Sequence, residues 1–325
     1  MPFRSTFLLA LSLVGYALGP ASAWAQKRGD TEEGSRAYIV VDVRSKKIVK
    51  AYKEEERLPV ASLAKIVTAC VVDDWMDATG EDRSSYMVVP QEALQITAGN
   101  PLNLVPGDRI TVRDALFSSM IASDNVAALT LADYVGLQMW RRNGGRASDS
   151  QSFFVAQMNA LANARGMERS NFVNPHGMDD RKGKGVSTAA DMARITFYAI
   201  QKPSLNFIVR QKHRDVSFLR GEEALRFRLF NTNELVGEHG VDGFKTGRTL
   251  RAGDCLVVSA RRADEVTALS EGRQQRIPYH LIIVTLGSAD RFGQAKRLID
   301  SGFFEYERWI KGNRQVHPQE ILAMP

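Results

Sequence analysis

Ser62-Leu63-Ala64-Lys65 opens a run in which Ile66, Val67, Ala69, Cys70, Val71, Val72, Trp75 and Met76 leave no polar face. A helix that is apolar all round is buried, so this spacing predicts a helix at the centre of the fold. At i and i+3 the Ser62 hydroxyl and the Lys65 amine project from one side of its first turn. A serine hydroxyl needs a neighbouring base to act as a nucleophile near neutral pH. Lysine becomes that base when burial or a second cation lowers its pKa, because both disfavour the charged form. A helix N-terminus adds unpaired N–H groups that point at whatever binds there. At average composition Ser-x-x-Lys arises about once in a chain of this size, so alone it also reads as a helix cap followed by a surface lysine.

With 325 residues, 44% hydrophobic and 25% charged, the chain is soluble and globular and long enough for a substantial core,. A net charge of +6 carried by interspersed residues, with no sustained Lys/Arg stripe, argues against nucleic acid as a partner. Arg4 is the only charged side chain before Lys27, an apolar core runs from Phe7 to Leu18, and Gly19-Pro20 breaks it ahead of Ala23-Trp24-Ala25. That layout predicts an export signal over residues 1–25, cleaved after Ala25, and a core too short to span a bilayer comfortably. The mature protein is therefore expected in the periplasm or cell-wall space. Its compartment permits a disulfide between Cys70 and Cys255, and both also sit in apolar runs that suit buried thiols. The five histidines have no metal-ligand spacing, so no metal and no cofactor is expected.

Residues 26–36 read as a flexible polar segment, and Ala37–Asp42 with Ile48–Tyr52 as a hairpin. Asp77–Ser85 reads as a loop. Helices are expected from Thr111-Val112-Arg113-Asp114 through Met120, over Val126–Val135 with Gly136 closing it, over Phe153–Ala164, from Thr188 to Ala199, and briefly from Pro203. Strands follow at Leu225–Phe230, Val241–Thr249, Cys255–Ala260 and Leu281–Thr285, with Arg261–Arg276 most simply an exposed loop or hairpin. Arg291–Ile310 is a final amphipathic helix and residues 311–325 a tail. Strands at both ends with helices between predict an α/β (α+β) fold, in which the N-terminal hairpin joins the late strands in one antiparallel sheet flanked by helices.

Two further clusters bear on chemistry. Ser123-Asp124-Asn125 lies between two helices, where all three residue types also serve as caps. Lys245-Thr246-Gly247 lies on a strand, where a glycine suggests close approach by a ligand or another backbone. In the order Ser-x-x-Lys, Ser-x-Asn, Lys-Thr-Gly, the three match the penicillin-recognising serine acyl-transferase set. Asp242 to Thr249 with Ala252-Gly253, Pro106-Gly107-Asp108-Arg109 and Asn174-Pro175-His176-Gly177 extend the match. From about Ala37 to Ile310 the chain resembles the D-alanyl-D-alanine carboxypeptidases among the low-mass penicillin-binding proteins.

The resemblance implies a β-lactamase/transpeptidase-like fold with a mostly helical inserted region. It implies a peptidoglycan stem peptide as substrate and β-lactam antibiotics as covalent inhibitors. In that scheme Ser62 attacks the carbonyl between the last two D-alanines and Lys65 takes its proton. Ser123 and Lys245 form a hydrogen-bonded route that returns a proton to the leaving amine, and Asn125 orients Lys65 and the substrate amide. The backbone N–H groups of Ser62 and Arg248 form the oxyanion hole, where loss of one donor costs about 3–4 kcal/mol. Thr246, Gly247 and Arg248 are the substrate-binding positions, and the strand edge pairs with the peptide.

A class A β-lactamase shares the three clusters but needs a glutamate to activate water for rapid deacylation, and Arg169–Gly221 contains none. A silent wall-binding or scaffolding protein would be free to lose one of Ser62, Lys65, Ser123, Asn125 or Lys245, and all are present. Many relatives add a β-rich domain and a membrane-resting helix; the sequence after Ile310 carries neither, so no stable membrane anchor is expected. The residues do not separate carboxypeptidase from endopeptidase action.

Overall fold

The computed structural model describes residues 34–143, 150–179, 184–268, 273–312 and 315–325. The expected export signal and most of the polar segment after it lie outside the described residues. Strands β1 (Ala37–Asp42) and β2 (Ile48–Tyr52) form the expected hairpin. Every residue of β1 is buried, because the strand lies inside the sheet with helices over both faces, and such strands read as unbroken apolar runs. Helix α1 (Ala64–Thr79) is buried along most of its length. It continues through Asp77–Thr79, where a loop was expected, and stops at Gly80, a left-handed cap residue,.

Short strands β3 (Tyr86–Val88) and β4 (Arg109–Thr111) precede a helical region. This region comprises α2 (Val112–Ile121), α3 (Asn125–Arg142), α4 (Ser150–Ala164), α5 (Ala189–Ile200) and α6 (Pro203–Val209). Thr111 caps α2 and Thr188 caps α5, each side chain accepting the N–H three residues on,. Asp114 does not complete the box; it accepts the Ser217 N–H.

Gly136 does not end a helix. It sits inside α3, where a Cβ would come 2.1 Å from the Ser150 carbonyl oxygen of α4. Its value is the close approach of two helices rather than a stop signal.

The chain then returns to strands: β5 (His213–Arg220), β6 (Glu223–Phe230), β7 (Val241–Thr249), β8 (Gly253–Ala268) and β9 (Gln274–Ser288), before α7 (Arg291–Lys311). The main sheet has the order β2-β1-β9-β8-β7, with antiparallel pairing throughout. Its two faces are separate cores. Ile39, Val41, Val257, Ile282 and Val284 face the helical region, while Val40, Val258 and Ile283 meet Leu298, Ile299 and Phe303 of α7. Burying each such side chain contributes about 1.5–3 kcal/mol.

One expectation changes. Leu225–Phe230 does not join the main sheet but pairs in a second one, of order β3-β4-β5-β6. Its alternating arginines leave one face in water, which suits a sheet packed on one side only. Of the loop and hairpin alternatives, Arg261–Arg276 takes the hairpin: β8 and β9 stay paired out to Ala268 and Gln274, and residues 269–272 lie outside the described residues.

The tail is not loose where it is described. Ile321 bridges to Lys47, Leu322 is buried, and Glu320 pairs with Lys47 at 2.6 Å.

Gly136→Ala should destabilise the protein by about 1–3 kcal/mol in denaturant titration, the usual cost of overpacking. Helix propensity alone predicts a gain of about 1 kcal/mol from the same change, so the sign of the result reports the α3–α4 contact.

Candidate active site

Ser62 lies on a single 3-10 turn, Ala61–Leu63, that feeds into α1, and Lys65 is the second residue of that helix. Ser62 is partly exposed, whereas Lys65 is completely buried. The Lys65 amine has three partners: Ser62 Oγ at 2.8 Å, Asn125 Oδ1 at 2.6 Å and the His176 carbonyl oxygen at 2.7 Å. Two of these can only accept. A neutral amine offers two N–H bonds and one lone pair, so the two acceptors take the hydrogens and the lone pair is left for the Ser62 hydroxyl proton. Burial lowers the Lys65 pKa to about 7, opposed by the negative charge of Asp124.

Each partner is itself held. Asn125 begins α3, donates its backbone N–H to Gly99 O at 2.6 Å, and donates Nδ2 to Ala98 O at 2.8 Å. Those bonds settle which way its amide faces. Asp124 caps α3 through Ala127 N and accepts from Ser118 Oγ at 2.7 Å. Burial still raises its pKa. The His176 loop is clamped to α1 by Thr68 Oγ1, which donates to Pro175 O at 2.7 Å. Gly177 completes it, because a Cβ there would come 1.9 Å from the Ala61 carbonyl oxygen.

The third cluster closes the site from the β7 side. Lys245 is buried and its amine donates to Thr246 O at 3.1 Å. Burial depresses its pKa strongly, and the positive charges of Lys65 and Arg291 add to the effect. Gly247 lies against the turn that carries Ser62, since a Cβ there would come 3.0 Å from Ser62 N. Thr246 shares a 2.6 Å hydrogen bond with Thr232. Arg248 is exposed and pairs with Asp254 at 3.4 Å, beside Arg291, which also reaches the Gly247 carbonyl at 3.3 Å.

Segments remote in sequence thus meet at one amine. Ser62, Lys65 and Asn125 touch directly, and Lys245 is near enough to feel the Lys65 charge. Ser123 stands apart. It is partly exposed, with a left-handed backbone at φ +61, and its hydroxyl has no hydrogen-bond partner among the described residues. The expected Ser123–Lys245 hydrogen bond is therefore not made.

Reading the residues singly missed the His176 carbonyl, the Ala98-Gly99 carbonyls, Thr232 and Arg291. Backbone acceptors carry no residue signature, and only the stretch Asn174-Pro175-His176-Gly177 pointed towards one of them. Among the described residues no cluster of histidine, cysteine and carboxylate side chains could hold a metal, and both cysteines are buried free thiols.

The profile of the peptidase S11 family, described as D-alanyl-D-alanine carboxypeptidase, matches residues 24–269. The chain belongs to this carboxypeptidase family. It is 27% identical over 311 residues to the D-alanyl-D-alanine carboxypeptidase DacF of Bacillus subtilis, covering 93% of this chain and 71% of that protein. It is 31% identical over 283 residues to the D-alanyl-D-alanine carboxypeptidase DacC of Escherichia coli, covering 84% of this chain and 62% of that one. The chain thus spans under two thirds of the E. coli relative. Penicillin-binding protein D2 of Listeria monocytogenes, solved in an ampicillin-bound form, shares the fold with a TM-score of 0.66 at 23% identity, covering 85% of this chain and 99% of that one.

Within this carboxypeptidase-family site, Lys65 should titrate near pH 7 rather than near its ordinary 10.5. An NMR titration of the lysine Cε resonances, assigned by Lys65→Met, checks this. A midpoint above 9 would contradict the buried, neutral amine.

Proposed function

We propose that the protein is a serine-type D-Ala-D-Ala carboxypeptidase acting on peptidoglycan stem peptides, with Ser62 as nucleophile. The observation that carries this reading is the buried Lys65 amine within hydrogen-bond distance of Ser62 Oγ, Asn125 Oδ1 and His176 O; in its neutral form the two pure acceptors take its hydrogens and its lone pair is left for the Ser62 proton. In the proposed reaction the Ser62 oxygen bonds to the penultimate D-alanine carbonyl as its proton passes to Lys65. Backbone N–H groups of Ser62 and Arg248 receive the developing oxyanion; the seating of Gly247 against Ser62 N supports that placement.

Collapse of the tetrahedral adduct breaks the peptide bond. The departing amine takes its proton from Lys65. Water then attacks the acyl ester, Lys65 again takes the proton, and Ser62 is regenerated. Thr246 and Arg248 hold the terminal carboxylate of the substrate. A β-lactam follows the first half of this path and remains as an acyl-enzyme. The ampicillin-bound form of the Listeria protein of the same fold and the absence of a glutamate between Arg169 and Gly221 support inhibition rather than rapid hydrolysis. Residues 1–25 act as the export signal that delivers the protein to the periplasm or wall space, where the substrate lies. No helix among the described residues is long and apolar enough to cross a membrane.

A fluorescent penicillin should label the wild type covalently and leave Ser62→Ala unlabelled; an unlabelled wild type overturns the reading. The acylation rate should rise through pH about 7 and level off above it, because the depressed Lys65 pKa makes the base available above that value and removes it below,. Mass analysis of muropeptide digests should show free D-alanine. Split cross-linked dimers in its place would assign endopeptidase action instead.

A further inference from the structure

A threonine inside a helix can turn its hydroxyl back on its own backbone. Thr79 donates to Trp75 O at 2.9 Å, Thr130 to Val126 O at 2.8 Å and Thr196 to Met192 O at 2.6 Å, each four residues back. Thr68, on α1 three residues after Lys65, is the exception among the helical threonines of the described residues. Its hydroxyl leaves the helix and donates to Pro175 O at 2.7 Å. The Met158 sulfur lies 3.7 Å from the same oxygen. A hydroxyl has one proton and a thioether is a weak acceptor, so the carbonyl takes it.

The exception falls beside the reactive pair. Thr68 is fully buried, and Pro175 and His176 are buried as well. Their carbonyls are adjacent in the chain: Pro175 O takes the Thr68 hydrogen, and His176 O takes one from the Lys65 amine at 2.7 Å. Side chains at i and i+3 of α1 thus grip one two-residue stretch of backbone. The turn around that stretch is braced internally. Asn174 Oδ1 accepts the Gly177 N–H at 2.7 Å, Asn174 Nδ2 donates to Met178 O at 3.0 Å, and the Met178 N–H donates to His176 Nδ1 at 3.2 Å. Those bonds stiffen the turn without setting which way its carbonyls face relative to α1. The Thr68 hydroxyl sets that direction.

We propose that Thr68 is a positioning residue for the Lys65 base: it holds the Pro175–His176 backbone so that the His176 carbonyl keeps one amine hydrogen and the lone pair stays towards Ser62. The assignment rests on the serine acyl-transfer reading above and adds to it a residue that touches none of the reacting atoms. Without the hydroxyl, Pro175 O loses its partner in a dry interior, where an unmade hydrogen bond is costly. The turn then rotates towards another donor, and the His176 carbonyl leaves the amine.

Two effects follow, each with a definite sign. The amine hydrogens lose their alignment, so acylation slows. A carbonyl acceptor favours the charged ammonium, so its departure lowers the Lys65 pKa further. Loosening that only admitted water would do the opposite, because hydration relieves the burial that depresses the pKa. Asp124 ahead of α3, Lys245 on β7 and the His176 ring are the titratable groups that interact with Lys65. Thr68 carries no charge, so it acts on the amine only through the carbonyl.

The test follows acylation by a fluorescent penicillin against pH in wild type, Thr68→Val and Thr68→Ser. Thr68→Val keeps the branched shape and removes the hydroxyl, whereas Thr68→Ser keeps the hydroxyl. In Thr68→Val the plateau rate should fall about ten-fold, the rate equivalent of one lost hydrogen bond, and the midpoint should move below the wild-type value. Thr68→Ser should retain the wild-type rate and midpoint. Should Thr68→Val not fold, Thr68→Ala, which also lacks the hydroxyl, is read in the same way. An unchanged plateau without the hydroxyl, a midpoint that stays or rises, or a Thr68→Ser variant as slow as Thr68→Val overturns the assignment alone. A wild type that the penicillin does not acylate overturns the serine acyl-transfer reading itself, and the assignment with it.

Discussion

A lysine amine removed from water is the constraint to which the rest of the structure answers. Lowering the Lys65 pKa from 10.5 to about 7 costs folding on the order of 4 kcal/mol at neutral pH. The penalty is complete below pH about 7 and disappears as pH passes the unfolded value of 10.5, because the unfolded chain holds the proton that the folded chain releases. A domain of ordinary stability can carry a penalty of that size only with a large core behind it. The apolar run of α1 and the helices around it supply that core, so one segment provides both the Ser62–Lys65 pair and the burial that lowers the Lys65 pKa.

Burial alone would leave a neutral amine with no direction. Direction comes from two oxygens that can only accept, Asn125 Oδ1 and the His176 carbonyl, each fixed by a second layer of bonds. Asn125 is tied to Ala98 and Gly99, and the His176 loop to α1 through Thr68 and Pro175. Two glycines bring backbones together around Ser62: Gly177 lies against Ala61 O and Gly247 against Ser62 N. Lys245 is buried nearby, and the Lys65 charge adds to the lowering of its pKa that burial begins. Asp124 acts on Lys65 in the sense opposite to burial, favouring the charged amine.

Much of this was legible in the chain itself. The all-apolar face of α1, the N-terminal hairpin, the caps at Thr111 and Thr188 and the amphipathic α7 follow from local patterns, because a helix or strand that must bury a face writes its period into the residues. The three clusters were legible as side-chain chemistry for the same reason. Gly136 was misread, since a glycine that allows two helices to touch is locally identical to one that ends a helix. The second sheet was missed because alternation shows that one face of Leu225–Phe230 is buried but not which strand pairs with it. The sequence by itself determined which residues can react and which segments must be covered. Only the tertiary structure decided that Lys65 meets Asn125 and a backbone carbonyl, and that the Ser123 hydroxyl bonds neither lysine among the described residues. Those relations hold between segments dozens of residues apart, and carbonyls and cavities have no letter in the chain.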